Sequence, residues 1–76
     1  MNVSAAKNKL LSGEQLIIEV MRNPSDLSEW VSWVRESSGK SFLLSGDDGV
    51  LLKSTDTTEI FHMLKGLGFR QATVIF

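Results

Sequence analysis

The chain is 76 residues long, contains no cysteine and carries a formal net charge of −1. Disulfides and thiolate metal sites are thereby excluded, and a domain of this size buries only about 60% of the surface its unfolded chain exposes, so self-association or a partner is expected to add stability. A hydrophobic fraction of 42% and a charged fraction of 22% belong to an ordered globular domain, while the eight basic residues are spread along the chain, which disfavours nucleic acid as a partner.

Residues 1–13, MNVSAAKNKLLSG, hold no apolar run long enough for a signal peptide, and no stretch approaches the ~20 apolar residues of a membrane span. The expected location is cytoplasmic, with no membrane partner. This segment reads as flexible or as a short helix ahead of one α+β domain over residues 14–76. Residues 15–22, QLIIEVMR, fit a strand with Leu16, Ile18 and Val20 on one side and Ile17, Glu19 and Met21 on the other. They also fit a helix opened by a Ser12–Gln15 capping box, but the cluster Ile17-Ile18-Val20 favours the strand.

Next, Asn23 can cap, Pro24 suits a first helical position and Asp26 favours the positive end of the helix dipole. Leu27, Trp30, Val31 and Val34 share a helical face, and Gly39 provides a stop. A hairpin follows. With Asp47-Asp48-Gly49 as a three-residue loop, Ser45 faces Leu51, Leu44 faces Leu52 and Phe42 faces Ser54. Asp56 and Glu59 have capping-box spacing ahead of a second helix, with Ile60, Leu64 and Leu67 as its buried stripe and Phe61 and Met63 at its flanks. Gly68 closes it, Phe69 is placed for the contact that follows a helix end, and FRQATVIF alternates as a strand.

The resulting order, β-α-β-β-α-β, is the ferredoxin-like arrangement, with an antiparallel sheet and two helices on one face. Should residues 15–22 be helical, the order becomes α-α-β-β-α-β with three strands.

Two fragments resemble chemistry and lose it on inspection. Gly39-Lys40-Ser41 matches the tail of a phosphate loop, but that pattern needs glycine where Val34 stands and must lead from a strand into a helix. Asp47-Asp48 lacks the alternating oxygen ligands and distal acid of a calcium loop, and aspartate is common in turns. His62 is the lone histidine and falls opposite Ile60 and Leu64 on its helix, with no nucleophile or second ligand placed beside it. No catalytic set, metal site or cofactor motif emerges, and the chain reads as a non-enzyme.

The outward sheet face carries the functional signal. Ile17, Met21, Leu43, Leu51 and Ile75 point away from the helices, interrupted by Glu19, Ser45, Lys53, Gln71 and Thr73. A half-exposed antiparallel face is ordinarily polar, so this one calls for a cover: the N-terminal segment through Val3, Leu10 and Leu11, or a second protein. Trp33, at the margin of the first helix, is a further interface candidate. The third strand, VLLKS, lacks the aromatics by which RNA-recognition domains stack bases. The stretch EVMRNPSDLSEWVSWV, with LKGLGF later, resembles ACT regulatory domains in outline. That resemblance implies a ferredoxin-like fold, paired domains and small-molecule binding at the loop Asn23, Pro24, Ser25 and Asp26. The leading expectation is a protein-interaction module, homodimeric or docked on another protein through the outer sheet face.

Overall fold

The computed structural model describes residues 1–76. Helix α1 (Val3–Leu11) precedes strands β1 (Leu16–Asn23), β2 (Asp26–Glu36), β3 (Ser41–Leu43) and β4 (Lys53–Ser54); helix α2 (Thr57–Leu67) and strand β5 (Thr73–Ile75) complete the chain. The sheet runs β3-β2-β1-β5, with β4 also on β2. The α+β class stands, whereas the ferredoxin-like order and the α-α-β-β-α-β alternative both give way to α-β-β-β-β-α-β. The sheet is mixed: β2 is antiparallel to its neighbours, while β5 runs parallel to β1.

The decisive difference lies in the segment after Asn23, expected as a helix and found, over Asp26–Glu36, as a strand paired with β1 from Leu16↔Glu36 to Arg22↔Trp30. Leu27, Trp30, Val31 and Val34 fit a helical stripe, but WVSWV is apolar on both strand faces, and its aromatic and β-branched density suits a pleated surface. Trp30, Ser32 and Val34 turn inward, while Leu27 is exposed. Asn23-Pro24-Ser25-Asp26 is therefore a turn between two strands. The Asn23 carboxamide oxygen accepts from the Ser25 N–H (3.0 Å), and Asp26 accepts from the N–H and hydroxyl of Ser28. No non-glycine residue has positive φ, so this turn is none of the types that need one, and proline fixes φ at its second position.

Gly39 likewise ends no helix. It takes φ +93° in the β2–β3 loop, where the Gly39 N–H donates to Glu36 O and the Glu36 N–H donates to Lys40 O. The loop at 47–49 repeats this construction: the Gly49 N–H donates to Gly46 O, the Gly46 N–H donates to Val50 O, and Gly49 has φ +82°. The three-residue loop expected there is present, with Ser45 bridged to Leu51 and the Leu52 N–H donating to Leu44 O. The hairpin stops at that point. Phe42 pairs with Val34, and Ser54 pairs with Trp30, not with each other. Residues 45–52 are thus looped out of an edge strand that lies along β2 both before and after them.

Both helices cover the same sheet face. Ala6 of α1 and Ile60 and Leu64 of α2 join Ile18, Val20, Trp30, Val34, Leu44 and Phe69 in one core cluster. Each fully buried aliphatic side chain of this kind contributes about 1.5–3 kcal/mol over exposure. Asp56 caps α2 by accepting from the Thr58 N–H, and its own N–H donates to the Ser54 hydroxyl. Ser54 in turn donates to Glu59 (2.7 Å), so the capping box closes through an intermediary. Gly68 ends α2, and the Phe69 N–H donates to Leu64 O as the Phe69 ring enters the core.

Candidate functional site

The outer sheet face is built by the odd-numbered residues of β1, β2, β3, β4 and β5, because a strand sends alternate side chains to opposite sides. Cross-strand register sets them in rows. Leu43, Trp33, Glu19 and Thr73 form one row; Lys53, Val31, Met21 and Ile75 form the next; Ser41, Arg35 and Ile17 form a third. An apolar band therefore crosses the sheet from Leu43 through Trp33, Val31 and Met21 to Ile75, with Ile17 beside it.

Burial across this band is uneven. Val31 is only 1% exposed although no helix covers it, since Met21 and Lys53 stand opposite it on the adjoining strands. Ile17 is 49% exposed, and Leu43 and Ile75 are also open. Trp33 and Met21 are half-buried. The charges on the face neutralise one another: Arg35 pairs with Glu19 at 3.5 Å and Lys53 with Glu29 at 3.3 Å.

Of the interface residues anticipated from sequence, Ile17, Met21, Leu43 and Ile75 lie on this face together. Trp33 joins them as a strand residue in the middle of the face, not as a helix-margin residue. Leu51 does not, because it sits in the looped-out hairpin opposite Ser45. Val31, Glu29 and Arg35 belong to the face and are legible only once 26–36 is read with period two. The N-terminal segment packs on the opposite side: Val3 and Leu10 lie against the helix-side core, and Leu11 is exposed. It does not cover the outer face.

The other anticipated positions have local roles. Asn23 and Asp26 are engaged by their own turn, and Asn23 also donates to Glu29 (3.3 Å). The hydroxyl and N–H of Ser28 hold the Asp26 carboxyl below its ordinary range. The loop implied by the ACT resemblance as a strand-to-helix ligand site is a hairpin turn between β1 and β2. Asp47 accepts from the N–H and hydroxyl of Ser4 in the first turn of α1, which lowers its pKa in the same way. Asp48 accepts from the Val50 N–H within its turn. His62 is exposed on α2. No three His, Asp or Glu side chains gather as a metal-binding group, no buried side-chain polar atom lacks a partner, and no helix is long and apolar enough to cross a membrane.

A second feature lies beside β5. An open groove of about 800 Å³ runs between the end of α2 and β5, lined by Phe61, Leu64, Phe69, Ala72 and Val74 among others. At the C-terminal ends of β1 and β5, the Arg22 guanidinium sits 4.6 Å from the Trp30 ring, and Phe76 meets that indole edge-on at 6.3 Å.

Searches of protein-family models, curated proteins and solved structures give no match to this chain.

Proposed function

We propose that this chain is a small non-enzymatic interaction module that docks a protein surface on its outer sheet face. One observation carries the reading: an apolar band from Leu43 through Trp33 and Met21 to Ile75 lies on a face over which no element of the chain is laid. Trp33 at its middle is of the residue type that dominates binding energy at interfaces. The ion pairs Glu19–Arg35 and Glu29–Lys53 leave the face without net charge. Shape and apolar contact, more than electrostatic steering, then select the partner.

The test is capture from native lysate with the immobilised wild-type chain, Trp33→Glu and Leu43→Lys, alongside Leu11→Ser on the helix side as a control. A protein retained by wild type and control, and lost from both face variants, supports the reading. An identical captured set for all four chains overturns it.

A further inference from the structure

We infer that two copies of this chain pair through their β5 edges, antiparallel about Val74, so that one sheet continues through the dimer. In the order β3-β2-β1-β5, β5 is terminal, and its far edge is bonded to no strand. Such edges are templates for pairing, commonly blunted by lysine, proline, a bulge or shortness, and of these β5 has only its three-residue length. Residues 71–76, QATVIF, carry no charge and no proline, and the ladder to β1 has no bulge. A two-fold axis brings every residue near it towards its own copy, so an uncharged, β-prone segment is the kind that tolerates self-pairing.

The register adds a second, independent fit. With the axis at Val74, Thr73 stands opposite Ile75 of the second copy, and Phe76 stands opposite its Ala72. Alternation puts Ala72, Val74 and Phe76 on the helix side of the sheet. On that side each copy has the open groove lined by Phe61, Leu64, Phe69 and Ala72, and an exposed Phe76 whose ring touches its own chain only edge-on at Trp30. The operation that zips the two edges therefore carries each exposed ring to the mouth of the other copy's groove. Knob and hole lie on one surface, as a closed two-fold interface requires.

Charge does not oppose this arrangement. Arg70, the nearest charged side chain in sequence, lies four positions from the axis, so its two copies would stand roughly 26 Å apart at ~3.3 Å per strand residue, beyond the ~8 Å screening length, while Glu19, cross-strand from Thr73, is paired with Arg35. The interface is modest. Two buried phenylalanines supply roughly 300–500 Å², which with short strands places the pair towards the small, transient class and its affinity in the micromolar range.

Sedimentation velocity on the whole chain, from ~1 to ~500 µM, reads the association directly. The expected result is a monomer–dimer equilibrium weakened about tenfold or more by Phe76→Ala, and likewise by Ile75→Lys, which installs an edge guard. Because the chain has no cysteine, introduced ones report alone. A mixture of Thr73→Cys and Ile75→Cys chains should form the crossed disulfide in preference to either chain by itself. A wild type that stays monomeric throughout overturns the inference. So does a dimer that survives both edge variants, or one lost with Trp33→Glu but not with Phe76→Ala. That last pattern would assign association to the outer face instead, separating this inference from the docking function.

Discussion

The two edges of the sheet are finished by opposite means. Along β3 and β4 the edge is short and interrupted, and residues 1–3 lie against it. The Ser45 N–H donates to Met1 O and the Val3 N–H donates to Ser45 O, while Asn2 bridges Ser45 in parallel. The loop that interrupts this edge also supplies Asp47 to the start of α1. Edge protection and helix anchoring are here one structure, with α1 held at its far end by Lys9 between Glu14 and Glu36. Along β5 shortness is the one protection: three residues, with no charge, proline or bonded segment on the far edge. On one edge Leu43 O and the Ser45 N–H and C=O are bonded to the N-terminal residues, whereas the far edge of β5 is bonded to no strand.

The largest effect that can test this contrast is on stability. Leu44 is fully buried where the guarded edge leaves β2, and its N–H donates to Ser32 O. Leu44→Ala should cost about 2–5 kcal/mol, a large share of the roughly 4–11 kcal/mol expected for a chain of this length. Ile75→Ala on the bare edge, a half-open position with one strand neighbour, should cost well under half as much. Urea midpoints for the two variants measure the difference. Equal losses would mean that β5 is as integral to the monomer as the guarded edge.

How much of this was legible follows from how local each signal is. Strand β1, the caps of α2 and the turn at 47–49 rest on residues within a few positions of one another, and each is present. Residues 26–36 misled because Leu27, Trp30, Val31 and Val34 make a helical stripe, whereas on the strand they divide between two faces, Trp30 and Val34 inward and Leu27 and Val31 outward. Trp33, off the helical stripe but in register on a strand between Val31 and Arg35, was the discriminating residue. Ser37-Ser38-Gly39 is the same three-residue turn as Asp47-Asp48-Gly49, but a glycine after a presumed helix reads as its stop. The outer-face set Ile17, Met21, Leu43 and Ile75 was within reach because strand parity alone places it. Leu51 was not, because nothing local marks residues 45–52 as looped out. The contact of Asp47 with Ser4 spans 43 positions and has no sequence signature.

Those matched turns make the next prediction, of intermediate size. Gly39 and Gly49 both hold positive φ with open space where a Cβ would stand, so substitution strains the backbone without a clash. Gly39→Ala and Gly49→Ala should each destabilise by about 1–2 kcal/mol, by thermal or urea unfolding. A Gly49→Ala chain as stable as wild type would show that the looped-out hairpin is not needed to hold the guarded edge.

Acid should weaken the same edge before the bare one. The Ser4 hydroxyl and N–H lower the Asp47 carboxyl below its ordinary value near 3.8. A folded-state pKa below the unfolded one contributes stability present above the unfolded value and lost as pH falls through the folded one. Stability should therefore decline below about pH 4, and Asp47→Asn should flatten part of that decline while lowering stability at neutral pH. Asp26, lowered by Ser28, contributes in the same direction and remains as the residual slope. Hydrogen exchange in α1 that rises on acidification in wild type, and is already raised at neutral pH in Asp47→Asn, would locate the loss at the guarded edge.

The smallest effect falls between the two edges, on the face they share. Arg35 and Glu19 are both partly solvent-exposed at 3.5 Å, on β2 and β1. An ion pair in water gains little over its separated charges, so Glu19→Gln should change stability by about 0–1 kcal/mol, and by less at high salt. Its larger consequence is electrostatic, since removing the carboxylate leaves Arg35 uncompensated beside Trp33. Partner binding on the outer face should then become salt-dependent where it was not, whereas pairing through β5 should not change. A salt dependence appearing instead in the self-association of Glu19→Gln would mean that the copies meet face to face, and the contrast between the two edges would lose its functional meaning.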